Sequence, residues 1–221
     1  VIVKRGILMN QLLKKRWFLP ALVLLIFAIL LSLAFYIWFT RGNNGAEEVI
    51  RLDNNGIVIE LPEWIISKPI SINEYSRPGE KTGKITGIVV HYVANPGSTA
   101  EQNRQYFDGL KLSRTTYASS NFIIGLDGEI IECVPLGEVA YASNNRNYDT
   151  ISIECCHPDE TGKFTDATYK SLVKLCRWLM DVYDIEVNNV IRHYDITGKI
   201  CPKYFVEHED EWREFLADLI K

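Results

Sequence analysis

The run Ile85-Thr86-Gly87-Ile88-Val89-Val90-His91-Tyr92-Val93 constrains this chain more than any other stretch. Six of its nine residues are β-branched, so it reads as a strand. It is apolar on both alternating sets of positions, so both of its faces have to be covered. Such strands belong to parallel sheets with helices on either side. Asn95-Pro96-Gly97 then breaks the strand. His91 stands at its C-terminal end, the edge at which open α/β sheets place their sites.

The rest of the pattern extends this layout to a central mixed β-sheet flanked by helices. Ser98 to Leu110 predicts a helix capped by Ser98 or Thr99. Phe122 to Pro135 predicts a hairpin turning at Leu126-Asp127-Gly128-Glu129. Thr165 caps a helix running to about Tyr183, with Tyr169, Leu172, Val173, Cys176, Leu179, Met180 and Tyr183 at three-and-four spacing. Val190-Ile191-Arg192-His193 reads as a further strand, and Asp210 to Ile220 as a closing helix. Val49 to Ile59 suggests a short strand pair around Asp53-Asn54-Asn55-Gly56, and Leu61 to Lys84 an irregular lead-in.

The chemistry concentrates in His193-Tyr194-Asp195-Ile196-Thr197-Gly198-Lys199-Ile200-Cys201-Pro202. It brings an imidazole, an ammonium and a thiol within nine residues. Imidazole and thiolate are good zinc ligands, and a catalytic zinc takes three protein ligands and keeps one position open. Lys199 and Cys201 are two apart, so in an extended segment they point the same way. That places a positive charge beside a metal, where a negative oxygen develops during amide hydrolysis. His91 is the candidate third ligand. Thr150 to Cys156 alternates, with Ile151, Ile153 and Cys155 on one face and Ser152, Glu154 and Cys156 on the other. A carboxylate in so apolar a strand is costly unless it is paired or working. Glu154 is therefore half of a salt bridge to a neighbouring Lys or Arg, a residue of a strand at the sheet edge, or a reacting group.

These pieces together resemble the zinc-dependent N-acetylmuramoyl-L-alanine amidases, which share a fold with amidase-type phage lysozymes and peptidoglycan recognition proteins. The matching blocks are Gly87–Tyr92, Ala118–Ile131, Thr150–Pro158 and His193–Pro202, in order, within about residues 62–221. The resemblance implies a zinc ion held by His91, His193 and Cys201, Glu154 as catalytic acid/base and Lys199 stabilising the transition state. It implies hydrolysis of the bond between N-acetylmuramic acid and L-alanine in peptidoglycan, by a domain acting as a monomer. Two positions depart from the family pattern. Asn121 stands where a histidine is common, and Val93 where a threonine is common. Ser120 stands where some relatives carry a helpful tyrosine, which leaves Glu154 as the acid/base group. A peptidoglycan-binding receptor that does not cut would typically lack a ligand. A zinc peptidase acting on wall peptides would use the same local chemistry.

Substrate contacts are expected from Asn121 and from the loop Val139 to Tyr148, through Tyr141, Asn144, Asn145 and Arg146. Asp195 reads either as a partner of a ligand histidine or as a turn residue. Of five cysteines, Cys155 and Cys176 lie on apolar faces and read as core. Cys155 and Cys156 point to opposite faces, which argues against a bond between them and against a second metal site with His157. A disulfide through Cys133 or Cys156 stays open.

Trp17 to Thr40 carries no charge and is mostly Leu, Ile, Val, Ala and Phe, with aromatics near both ends. About 20 apolar residues suffice to cross a bilayer. Lys4, Arg5, Lys14, Lys15 and Arg16 precede it and only Arg41 follows closely. The positive-inside rule then predicts a cytoplasmic tail (1–16), an uncleaved transmembrane signal anchor (17–40), an extracytoplasmic tether (41–61) and an extracytoplasmic catalytic domain (62–221), held at a bacterial cell membrane. Beyond residue 41 the chain has 18 basic and 28 acidic residues, a net charge of −10. Such a balance gives no attraction to nucleic acid or to an anionic wall polymer.

Overall fold

The computed structural model describes residues 27, 29–32, 50–52 and 56–221. The chain divides into two units, Val1–Glu48 and Val49–Lys221, and all the elements named below belong to the second. In the first, residues 27 and 29–32 are helical. Apart from these, the expected tail and anchor lie outside the described residues, as does much of the tether. Among the described residues no helix is long and apolar enough to cross a membrane.

Strands β1 (Ile50–Leu52) and β2 (Val58–Glu60) form the expected antiparallel pair. Ile59 and the following Leu61 are buried in the main core. The second sheet contains β3 (Ile65–Ser67), β4 (Gly87–Tyr92), β5 (Phe122–Ile124), β6 (Ile130–Glu132), β7 (Thr150–Cys155) and β8 (Val190–Arg192). Its order is β3-β6-β5-β7-β4-β8. Every neighbouring pair is parallel except the β5–β6 hairpin, which is antiparallel. The sheet is thus mixed, as expected. Strand β3 falls inside the segment expected to be irregular. Three residues between Pro62 and Pro69 are too few to show a period, and only pairing with the distant β6 makes them a strand.

Helix α1 (Ala100–Ser113) starts in a reciprocal cap: Gln102 N donates to Thr99 Oγ1, and Thr99 N donates to Gln102 Oε1. Helix α2 (Asp166–Tyr183) is capped by Thr165, whose Oγ1 accepts from Thr168 N. Short helices α3 (His193–Thr197) and α4 (Lys203–Glu207) lead into α5 (Glu209–Leu219). The sheet is covered on both faces. Ile88, Val90, Ile151, Ile153 and Cys155 join Leu172, Leu175, Cys176 and Leu179 of α2 and Trp212, Phe215 and Leu219 of α5 in one core. Ile123, Ile131, Cys133 and Cys156 join Ala100, Phe107 and Leu110 of α1 in the other. Each large side chain so buried contributes ~1.5–3 kcal/mol. Cys155 and Cys156 therefore serve opposite cores, as the alternation predicts. All five cysteines are buried and free.

Two local features hold β8 in place. A Cβ on Gly87 would lie 2.8 Å from the Asn189 carbonyl oxygen, so only glycine lets the chain entering β8 approach β4 this closely. Arg192, at the end of β8, is 7% exposed. Its guanidinium donates to Asp195 Oδ1 at 2.9 Å, Glu209 Oε2 at 2.5 Å and the Phe205 carbonyl at 3.0 Å. It also lies over the rings of Tyr194 and Trp212. Arg192→Met strands the Phe205 carbonyl and separates the two acids from their cation. We expect it to cost roughly 2–4 kcal/mol of stability in a urea melt. A loss below half a kcal/mol would show that α3 does not depend on this clamp.

Candidate metal centre and active-site cleft

The site follows from strand direction and register. β7, β4 and β8 are adjacent and parallel, so their C-terminal ends share one edge of the sheet. Register places His91 beside Glu154 and Val90 beside Arg192. Cross-strand partners point to the same face, so His91 and Glu154 project together. His193 follows Arg192 as the first residue of α3, which begins where the strand stops. Gly198 ends α3 with φ +76°, a left-handed turn natural to glycine. The chain then folds back, and Tyr194 N donates to the Cys201 carbonyl at 2.9 Å. Lys199 and Cys201 both line the resulting cleft.

His91, His193 and Cys201 are all buried, and their donor atoms lie within 4.8 Å of one another. Among the described residues this is the only such group. Cys201 Sγ is 3.7 Å from His91 Nδ1. The two imidazole rings are 4.7 Å apart at 62°. The outer nitrogens are already engaged: His91 Nε2 lies 3.3 Å from Ser143 Oγ, and His193 Nε2 lies 3.0 Å from Asn144 Oδ1. His193 Nδ1 is buried and has no hydrogen-bond partner. An orphaned nitrogen beside a second imidazole and a thiol is what a soft N/S metal site requires. With three donors and no fourth among the described residues, the set suits an open zinc centre rather than a closed structural one.

Electrostatics agree. Burial pushes the His91 pKa well below its ordinary value, helped by His193 and Lys199. Burial and Lys199 lower that of His193. Both rings are thus kept neutral, the form that donates to a metal. Burial and Glu154 push the Cys201 thiol up to about 12, so in the metal-free protein it keeps its proton. Glu154 Oε2 is buried without a partner, and desolvation raises the carboxyl to about 8 against the pull of Lys199. Among the described residues Glu154 makes no salt bridge, and β7 is an inner strand between β5 and β4, so neither structural alternative raised by the sequence is seen.

The cleft has a volume of about 450 Å³. His91, Glu154, His193, Lys199 and Cys201 line it together with Tyr106, Phe107, Tyr117 and Tyr141, of which Tyr106 and Tyr117 are exposed aromatic side chains. Of the expected substrate contacts, Tyr141 and Asn144 reach the cleft and three do not. Asn121 is buried beneath the sheet edge: its Oδ1 accepts from Ser152 N and Oγ, and its Nδ2 donates to the Val134 and Glu138 carbonyls. It ties β5 to β7, as an amide with both donors and acceptors can. Arg146 turns away to Asp149 and Thr86, and Asn145 is exposed outside the cleft. Asp195 is taken by Arg192 and not by a ligand histidine. Sequence reasoning missed Ser143, whose contact lies 52 positions from His91, and Tyr106 and Tyr117, which carry no local signal beyond being aromatic.

Two imidazoles, a thiol, a carboxyl of raised proton affinity and a lysine line one cleft, a donor set that could hold a metal ion beside a proton-transfer group. The chain belongs to the N-acetylmuramoyl-L-alanine amidase family, whose sequence profile matches residues 81–204. It is 31% identical over 163 residues to the N-acetylmuramoyl-L-alanine amidase CwlL of Bacillus licheniformis, a match covering 68% of this chain and 45% of CwlL. The chain thus spans about half the length of the curated relatives it matches. The catalytic domain of XlyA superposes with a TM-score of 0.60 at 27% identity, over 70% of this chain and 98% of that domain. The structure of PlyL gives 0.60 at 26% identity, over 70% and 96% respectively.

Proposed function

We propose that this chain hydrolyses the amide bond between N-acetylmuramic acid and L-alanine in peptidoglycan, with a zinc ion held by His91, His193 and Cys201. The observation that carries the reading is the convergence of these three buried donors beside the unpartnered carboxyl of Glu154. When bound, zinc would supply a Lewis acid for the scissile carbonyl and lower the pKa of the attacking water. Glu154 removes a proton from that water and returns it to the departing amine of L-alanine. A carboxyl whose pKa is pulled toward neutrality serves both transfers. Lys199 places its ammonium beside the oxygen that gains negative charge. The domain boundaries, with an anchor at 17–40 and catalysis outside the membrane, belong to the same reading and rest on the charge-free apolar run and the basic residues before it.

The test is the full chain incubated with purified peptidoglycan, with zinc or with a chelator. Zinc-dependent release of L-alanine amino termini without new reducing ends supports the amidase. Binding without release would make it a receptor. Other amino termini would make it a peptidase.

The tyrosines that line the cleft would orient the substrate. Tyr117 stacks on Tyr75 at 5.1 Å, meets Tyr141 edge-on at 5.7 Å, and donates its hydroxyl to Glu74. Among the described residues no arginine lines the cleft, and Lys199 is its one lysine. An uncharged, preset aromatic wall suits the neutral sugar side of the bond rather than peptide carboxylates. Tyr117→Ala is expected to raise KM about 3–10-fold with kcat nearly unchanged. An unchanged KM would remove Tyr117 from the substrate path.

A further inference from the structure

Both ligand histidines are held from one short turn. Ser143 and Asn144 are consecutive, and each meets the Nε2 of a different ring, at 3.3 Å and 3.0 Å. The two contacts leave both Nδ1 atoms facing the centre: that of His91 lies 3.7 Å from Cys201 Sγ, and that of His193 is orphaned. We infer that the Ser143–Asn144 turn is the positioning device of the metal centre, choosing which nitrogen of each histidine faces the ion. The inference rests on the zinc reading above.

Three observations support it. First, an amide oxygen only accepts, so Asn144 Oδ1 requires the proton of His193 on Nε2 and frees the Nδ1 lone pair. Ser143 can donate or accept, so it aligns the His91 ring and does not select the tautomer by itself. Second, the turn is built for this. Asn144 has φ +55°, a left-handed conformation in which asparagine is among the least strained side chains. Third, the turn is braced independently of the histidines. Asn147 Oδ1 accepts from the backbone N–H of Ala142 at 3.0 Å and of Ser143 at 2.6 Å. Thr150 Oγ1 donates to the Arg146 carbonyl at 2.6 Å, which ties the turn to the start of β7. A brace of this kind keeps the Ser143 hydroxyl and the Asn144 oxygen in place when the rings are not bound to metal. Partners of this type that fix a ligand histidine typically contribute 10–100-fold to metal affinity.

The test compares Asn144→Gly and Asn144→Asp in the full chain, in mild detergent. Glycine keeps the left-handed backbone and removes the acceptor. Aspartate keeps an acceptor and cannot donate. Zinc affinity is measured by competition with a chromophoric chelator, and the melting temperature of the metal-free protein is recorded alongside. We expect Asn144→Gly to weaken zinc binding about 10–100-fold with the metal-free melting temperature nearly unchanged, and Asn144→Asp to bind at least as tightly as the unsubstituted chain. Equal zinc affinity in the glycine variant would overturn the inference and leave the zinc reading standing. A loss shared equally by both variants would also overturn it, because an accepting oxygen would then not be what matters. An unsubstituted chain that takes up no zinc would sink the reading of the centre itself.

Discussion

Glu154→Gln is expected to lower turnover by roughly 10²–10⁴-fold while fold and zinc affinity stay intact. Glutamine has nearly the same shape, so the strand and its neighbours need not move. The difference lies in one function: an amide cannot take a proton from water or return it to an amine. Among the described residues Glu154 has no salt bridge to lose and its buried Oε2 has no hydrogen-bond partner, so the substitution gives up only the longer-range attraction of Lys199. Burial raises the Glu154 carboxyl to about 8, so near neutral pH the parent side chain is already mostly uncharged and the variant should be about as stable. Release of L-alanine amino termini from peptidoglycan gives the rate, and metal analysis gives the zinc content. A variant that keeps a near-normal rate would hand the acid/base role to another group. One that loses zinc would show that Glu154 supports the metal rather than the proton transfers.

The second large effect is expected at Cys201. Replacing it with serine removes one of three donors, and a serine hydroxyl is too weakly acidic to take the place of a thiolate. Two histidines alone leave zinc held weakly, so activity should fall to background at micromolar zinc. Stability provides an independent readout, because a ligand that binds only the folded chain stabilises it by mass action. At a free concentration 1,000 times Kd that is ~4 kcal/mol. For a domain of this size it corresponds to a rise of about 10 °C in Tm. The unsubstituted chain should show this rise on adding zinc, and Cys201→Ser should not. The metal-free Tm should change little, since the thiol is protonated there and Cys201 is held by its backbone contact to Tyr194. A zinc-induced rise that persists in the variant would mean that the ion sits elsewhere.

Much of this was legible in the sequence because it is local. The β-branched run at Ile85–Val93, the alternation at Thr150–Cys156 and the caps at Thr99 and Thr165 each express a preference of neighbouring residues, and each element formed where its pattern stood. The close spacing of His193, Lys199 and Cys201 announced their chemistry. The contacts around the centre were less legible. Asn144, read as a substrate contact, does line the cleft, but its contact with His193, 49 positions away, was not legible. Asn121, Asn145 and Arg146 looked like cleft residues, and packing sent one inward, one outward and one into an ion pair with Asp149. Strand β3 was invisible, since its pairing partner lies far along the chain.

By itself, then, the sequence determined which groups were available: two imidazoles and a carboxyl at or beside strand ends, and an ammonium and a thiol in the segment between α3 and α4. The tertiary structure decided their geometry. Parallel pairing of β7, β4 and β8 in one register brings His91, Glu154 and His193 to one edge. A turn between β6 and β7 decides which nitrogens look inward. Secondary-structure preference acts over a few residues, whereas register and ring orientation are set by contacts between segments that meet only when the chain has folded.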